Sequence, residues 1–181
     1  NRIRRSFLKK VEDAVLAAQR PGEDAVRAAR ERVKAVIAAT GRVREPRLPS
    51  VSVYTDTLEG AAAAVRSGAC TVYLEASAPG ILEEAAAVCR EGGANLVWKW
   101  PSITRRGFID TATPPLTPLY EAGVHGVMVS GAGAADAVRQ AEPRMRLYGA
   151  AGLNVWNRRT VGELAPLFLR CTASPELPAA D

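Results

Sequence analysis

Lys99 and Glu75 are the side chains in this sequence whose surroundings most directly suggest chemistry. Lys99 stands between Trp98 and Trp100 in an apolar run, where an ammonium group is costly unless it is paired or takes part in a reaction. Glu75 lies at the end of the preceding apolar run, residues 70–76, so it is the candidate ionic partner of Lys99. We predict that Lys99 and Glu75 are catalytic or bind an anion. A purely structural Lys–Glu ion pair is the alternative.

A second group of polar residues follows later apolar runs and suggests ligand binding. The segment GAGAAD, residues 131–136, connects an apolar run to a helix, which is a context that suits anion binding at a helix N-terminus. Asp136 stands where the third glycine of a dinucleotide-binding motif would be, which favours a tight turn over a dinucleotide site. The residues that we predict to bind a ligand are Ser130, Gly131, Asn154 and Asn157.

The histidine and the cysteines form no recognisable catalytic or metal-binding pattern. His125 is the single histidine and opens an apolar run, which leaves no Ser-His-Asp triad and no histidine-based metal site. Cys70, Cys89 and Cys171 match no zinc or iron–sulphur spacing, so we predict no metal site in this chain. We interpret Cys70 and Cys89 as small buried hydrophobic residues. The odd cysteine count, and the lack of an apolar run long enough for a membrane span, predict a cytoplasmic protein without a membrane partner.

These candidate residues need a scaffold, and the sequence after residue 49 predicts an α/β fold of repeated parallel βα units. Short β-branched runs alternate with alanine-rich helical stretches, which is typical of buried parallel strands joined by right-handed helical crossovers. The predicted strands are 51–56, 70–76, 95–100, 123–131, 145–151 and a last run at 168–174. The predicted helices are 58–67, 81–93, 134–141 and 160–167, and the proline-containing stretch 102–121 is expected to be mostly loop with a short helix after it.

The short repeat, about 20–25 residues per unit, favours a (β/α)8 barrel over an open doubly wound sheet. A complete barrel has eight strands, and this sequence predicts five or six, so we expect an incomplete TIM-barrel-like sheet. Barrel enzymes bind and react at the carboxyl ends of their strands, which is where Glu75, Lys99, Ser130 and Asn154 are expected. An incomplete barrel leaves sheet edges open, and a homodimer is one way to cover them.

Residues 1–49 predict a basic helical appendage and linker in front of the partial barrel domain, residues 50–181. Helices are expected at 2–20 and 23–40. The segment 1–49 has 13 Lys or Arg and 6 Asp or Glu, whereas the whole chain has a net charge of +5. Its positive charge suits an RNA partner or an anionic surface, and a solvated helical face is the alternative.

Several runs resemble the collagenase-like peptidase family (peptidase family U-32). These runs are IRRSFLKKVEDAVLAAQ, VSVYTDTLEGAAAAVRSGACTVYLEA, NLVWKWPSITRRGFIDT, GVHGVMVSGAGAADAVRQ, GAAGLNVWNRRTVGELAPL and SPEL. Together they cover most of residues 1–177, and their order and spacing are more specific than any one of them. The resemblance implies a TIM-barrel-like domain and a peptidase, that is a hydrolase acting on peptides.

The resemblance also implies activities other than peptide hydrolysis. Members of the family are implicated in hydroxylation of RNA bases or of a quinone precursor, often with an iron–sulphur cluster held by four cysteines downstream of the SPEL segment. This chain is therefore expected to be a fragment that holds no cofactor itself and is inactive alone. For the longer parent protein the resemblance implies the iron–sulphur cluster. We keep three hypotheses open: a peptidase, part of an iron–sulphur-dependent hydroxylase, or a non-enzymatic binding or assembly module.

Overall fold

The computed structural model describes residues 2–39 and 50–176, which belong to two compact units, Asn1–Arg42 and Val43–Asp181. The first unit contains α1 (Arg2–Gln19) and α2 (Glu23–Ala39), separated at Pro21 and Gly22. Every side chain described in these helices is exposed except that of Val26, which is half-buried. The apolar stripes that predict these helices therefore lie on the surface of the unit. The predicted linker lies outside the described residues.

The second unit alternates strands and helices along the chain. Its strands are β1 (Ser52–Thr55), β2 (Thr71–Leu74), β3 (Asn95–Lys99), β4 (Val124–Val129), β5 (Arg146–Gly149) and β6 (Arg170–Cys171). Its helices are α3 (Leu58–Arg66), α4 (Pro79–Glu91), α5 (Arg106–Ala112), α6 (Leu116–Ala122), α7 (Ala132–Ala141) and α8 (Arg158–Leu164), with a 3-10 turn at Ala151–Leu153. Each predicted strand is present, and all six are shorter than the runs that predict them.

All six strands are parallel and pair in chain order, β1-β2-β3-β4-β5-β6. The sheet curls into a half-barrel, which confirms the predicted incomplete parallel βα barrel. Alternate residues of each strand face opposite sides. Buried side chains such as Leu74, Trp98 and Val127 pack against the helices on the convex face. The residues between them, including Tyr73 and Lys99, face the concave side, which would be the interior of a closed barrel.

The connection between β3 and β4 differs from the prediction. Residues 102–121 were expected to be mostly loop, but they contain α5 and most of α6. Pro115 is the N-cap of α6, and Pro118 lies in its first turn. The first-turn amides of a helix have no carbonyl partner within that helix, so a proline there removes no hydrogen bond. The prolines therefore mark where a helix begins and do not exclude one.

The middle of the concave face is packed by two tyrosines above a glycine. The rings of Tyr73 and Tyr148 meet edge to face with centroids 5.8 Å apart, although β2 and β5 are separated by β3 and β4. Gly126, in β4, makes room for this contact. A Cβ atom there would lie 2.6 Å from the Tyr148 ring and 2.5 Å from the backbone oxygen of Arg146. The missing side chain thus lets the Tyr148 ring lie across β4.

A buried carboxylate fixes the turn between α7 and β5. Glu142 is 3% exposed, and its two oxygens accept hydrogen bonds from Arg144 Nε and Nη2 at 2.9 and 2.8 Å. Arg144 also forms an ion pair with Glu121 of α6 at 2.8 Å and lies 4.5 Å from the centre of the Tyr120 ring. These contacts hold the turn to α6. The hydrogen bonds from Arg144 lower the pKa of Glu142 from 4.5 to about 2.

Substitution of Gly126 by alanine should destabilise the half-barrel. The added Cβ would overlap backbone as well as the Tyr148 ring, so we expect a loss of about 1–3 kcal/mol in the free energy of unfolding. Gly133 of α7 is the matched control, because a Cβ there meets no atom within 4 Å. Urea titrations of Gly126→Ala and Gly133→Ala measure both effects. Equal stability of the two variants would contradict the close packing.

Substitution of Glu142 by glutamine should change how stability depends on pH. The folded state lowers the pKa of Glu142, so its contribution is present above pH 4.5 and is lost as the pH falls towards about 2. We expect Glu142→Gln to have a lower Tm than the wild type at pH 7 and the difference to vanish by about pH 2. Thermal melts followed by circular dichroism at several pH values measure this, with the exposed Glu84→Gln variant as control. A Tm difference between the wild type and Glu142→Gln that stays constant across the pH range would contradict this prediction.

Candidate functional site

The structure brings Glu75 and Lys99 together at the carboxyl ends of neighbouring strands. Leu74 pairs with Trp98 in the parallel register of β2 and β3, so the next residue of each strand, Glu75 and Lys99, is also adjacent. Leu74 and Trp98 are buried on the convex side, and alternation therefore directs Glu75 and Lys99 to the concave side. This is the end of the sheet at which barrel enzymes place their active sites.

Tyr54 of β1 joins this pair, and sequence reasoning missed it. Lys99 Nζ and Tyr54 Oη both donate a hydrogen bond to Glu75 Oε2, the latter at 2.7 Å. Lys99 Nζ also lies 4.8 Å from the centre of the Tyr54 ring, which is a cation–π contact. We call these three residues the Tyr54–Glu75–Lys99 cluster. A signal was available, because alternation in the run VSVYTD places Tyr54 on the opposite face from Val53 and Thr55.

The cluster is partly shielded from solvent. The Lys99 side chain is 17% exposed and that of Glu75 is 34% exposed, whereas Tyr54 is 56% exposed. Both charges are therefore held near the surface of the concave face, and the phenol of Tyr54 is the most accessible group. An ammonium in this position is stabilised by its carboxylate partner, which offsets part of the cost of removing it from water.

The hydrogen bonds decide the protonation states of the acidic groups. The hydrogen bond from Lys99 is the main cause that lowers the pKa of Glu75, with a smaller contribution from Tyr54, and burial opposes both. The hydrogen bond to Glu75 is the main cause that raises the pKa of Tyr54. At neutral pH the cluster therefore contains a carboxylate and a neutral phenol. A carboxylate with a lowered pKa is a weak proton acceptor, so the cluster is better suited to bind polar groups than to activate water.

Ser130 and Gly131 lie at the same end of the sheet, directly after β4. Both are half-buried, and Gly131 is the N-cap of α7 in an extended conformation. Gly152 of the following 3-10 turn packs against Ser130, since a Cβ on Gly152 would lie 2.8 Å from that of Ser130. A Cβ on Gly131 would meet no atom within 4 Å, so the space beside it is open. Ligand binding by Ser130 and Gly131 stays a prediction.

Asn154 and Asn157 have visible structural roles. Asn154 is exposed and has a left-handed backbone, with φ of 50°, at the end of the 3-10 turn. Asn157 is the N-cap of α8, and its side-chain oxygen accepts a hydrogen bond from the Thr160 amide at 3.0 Å. Within residues 50–176, no hydrogen bond links these asparagines, or Ser130, to the Tyr54–Glu75–Lys99 cluster. Their role in ligand binding also stays a prediction.

The cysteines lie on separate elements. Cys89 is buried in α4 as predicted, but the interpretation of Cys70 as buried is wrong. Cys70 is exposed because it lies just before Thr71, where β2 begins, and so outside the strand. Burial raises the pKa of the Cys89 and Cys171 thiols, which makes them poor nucleophiles.

Metal ligands are not grouped in the part of the chain that the structure describes. There, no three or more His, Cys, Asp and Glu side chains lie close enough together to hold a metal ion. The three cysteines therefore do not fit an iron–sulphur cluster by themselves. The exposed His125 lies at the amino-terminal end of β4, where its ring contacts that of Tyr120 with centroids 6.4 Å apart. Within the described ranges, none of the helices has the length and apolar character needed to cross a membrane.

Removal of either donor should raise the pKa of Glu75, and Lys99 should matter more. Its hydrogen bond is the largest cause of the lowered pKa, followed by that from Tyr54. We therefore expect Lys99→Met to raise the Glu75 pKa more than Tyr54→Phe does. Carbon-detected NMR titration of the Glu75 side-chain carboxyl measures both shifts, and the exposed Glu84 carboxyl serves as an internal control. A larger shift in Tyr54→Phe would contradict this order.

Comparisons with known protein families and with curated proteins identify no relative of this chain. No model of a known protein family matches the chain, and no significant match is found among curated proteins. The resemblance to the collagenase-like peptidase family, and the cytoplasmic location expected from the sequence, accordingly remain predictions. What the structure establishes is an α/β half-barrel of parallel strands with a polar cluster at the carboxyl ends of β1, β2 and β3.

Proposed function

We propose that this chain supplies part of the active site of a barrel enzyme and that the Tyr54–Glu75–Lys99 cluster binds its substrate. The observation that carries the proposal is the position of the cluster. Three polar side chains from consecutive strands share hydrogen bonds on the concave face, at the end of the sheet where barrel enzymes react. A structural ion pair alone would not require the exposed phenol of Tyr54.

The reaction proposed from the sequence resemblance is peptide hydrolysis. Tyr54 and Lys99 offer donors for a peptide carbonyl, and Glu75 offers an acceptor for a peptide amide. Glu75 is a weak base, and the thiols of the buried Cys89 and the half-buried Cys171 are poor nucleophiles because burial raises their pKa. The group that activates water or attacks the carbonyl would then come from outside the described residues. We accordingly expect the isolated chain to be inactive as a peptidase.

Peptide cleavage by the full-length protein that carries this segment tests the proposal. We expect cleavage of gelatin or of a peptide library by the wild type, and about a 100-fold loss of kcat/KM in Lys99→Met and Glu75→Gln, because substrate positioning has effects of this size. The exposed Glu84→Gln variant is the matched control and should keep wild-type activity. An inactive wild type would exclude peptide hydrolysis, and full activity in both cluster variants would exclude the cluster from the active site.

A second candidate is hydroxylation of an RNA base or a quinone precursor by an iron–sulphur enzyme. The concave face favours the RNA substrate, because the half-buried Tyr73 lies within electrostatic range of the exposed Arg170, and an aromatic ring beside an arginine can stack a base and contact a phosphate. The cluster ligands would have to come from beyond the described residues. Anaerobic iron reconstitution of the full-length protein, with nucleoside profiles of a deletion strain, separates this candidate from the peptidase.

A non-enzymatic assembly role is favoured by one further observation. Among the described residues, the edge strands β1 and β6 each pair with a neighbour on one side only. A second copy of the chain could cover these edges in a homodimer. Size-exclusion chromatography with light scattering would report a dimer in this case, and a monomer would contradict it.

A further inference from the structure

Two arginines lie on the half of the concave face that is farther from the Tyr54–Glu75–Lys99 cluster. Arg146 begins β5 and is two residues before Tyr148, so both face the concave side, whereas the buried Leu147 between them faces the helices. Arg170 begins β6 and pairs with Tyr148 in the parallel register, which places it on the same face. Both arginines are exposed.

The positive charge of these arginines is not neutralised by the protein. Among the described residues, no carboxylate lies within 4.0 Å of either guanidinium, in contrast to Lys99 and Arg144, which are both paired. The strand alternation places the acidic residues Asp56 and Glu75 on the concave face, but they follow β1 and β2, at the other side of the sheet from β5 and β6. Glu75 is also already bound by Lys99 and Tyr54. The β5–β6 half of the concave face is therefore electropositive.

Tyr73 and Tyr148 pack together on the concave face beside the two arginines. Tyr148 is buried against the half-buried Tyr73, and its ring lies over Gly126 towards β4. The Tyr148 ring therefore does not cover the concave surface of β5 beside Arg146. The charge of Arg170 acts on the Tyr73 phenol, where it lowers the pKa, although burial and Tyr148 raise that pKa by more. Tyr73 is thus a neutral hydroxyl donor within electrostatic range of Arg170.

We propose that Arg146 and Arg170 form an oxyanion-binding site that takes a phosphate or carboxylate group of a ligand on the concave face. Guanidinium groups present paired N–H donors that match both oxyanions, and two of them on adjacent strands can share one group. The Tyr73 hydroxyl is a further donor on the same face, within electrostatic range of Arg170. The inference rests on the proposed function in one respect only, since both require the concave face to be the ligand side of the sheet.

Phosphate binding to this chain tests the site without any need for catalysis. Inorganic phosphate is titrated at constant ionic strength while the arginine Nε–H signals are followed by NMR. We expect saturable shifts of the Arg146 and Arg170 signals, and about a 10-fold or greater rise in Kd in Arg146→Gln or Arg170→Gln, because a charged hydrogen bond contributes about that much. Arg139→Gln, an exposed arginine on α7, is the matched control and should bind as the wild type does. A parallel titration with acetate separates the two sources of the oxyanion.

Two outcomes overturn the inference. One is the absence of saturable shifts with both phosphate and acetate, and the other is equal weakening by Arg139→Gln, which would indicate only diffuse attraction. Thermal melts of each variant exclude unfolding as the cause. Failure here is distinguishable from failure of the proposed function, because Lys99→Met and Glu75→Gln should reduce turnover while leaving phosphate binding unchanged. Loss of turnover in those variants without phosphate binding by the wild type would reject the oxyanion site alone.

Discussion

The alternation of side chains along six parallel strands is the constraint on which the rest of this structure depends. A parallel sheet joined by helices must bury one face completely, and residues such as Leu74, Trp98 and Val127 do so here. Their neighbours in sequence are thereby directed to the concave face. Because parallel strands all end at the same edge, Glu75 and Lys99 become neighbours there although they belong to different βα units.

The Lys99–Glu75 pair costs free energy, because both charged groups are partly removed from water. An ammonium that is 17% exposed has lost much of its hydration, and one carboxylate offsets only part of that loss. Tyr54 contributes a further hydrogen bond to the same oxygen atom and an aromatic face towards Lys99. An apolar residue at position 99 would avoid this cost, and this is the physical argument behind the proposal that the cluster binds a ligand.

The sequence predicted the fold and the Glu75–Lys99 pair because both follow from local patterns. The strand and helix alternation indicated a parallel sheet, and neighbouring parallel strands bring their ends together without further information. Tyr54 was missed although alternation separates it from Val53 and Thr55, because alternation alone does not say which face of the strand is the core until the register with β2 is known. The helices in 102–121 were missed because proline was taken as a helix breaker, although at Pro115 and Pro118 it marks a helix start. Cys70 was misplaced because a residue at the edge of an apolar run can lie outside the core.

The spacing between the two polar regions of the concave face limits what a ligand could be. Lys99, Met128, Tyr148 and Arg170 are consecutive register partners across β3, β4, β5 and β6. Three strand separations give a span of about 14 Å along the sheet, and curvature shortens the direct path. A ligand that reaches both regions must therefore be about as long as four residues of extended peptide. A free amino acid or an isolated anion would occupy one region only, so a ligand that occupies both regions would be an extended molecule such as the peptide proposed above.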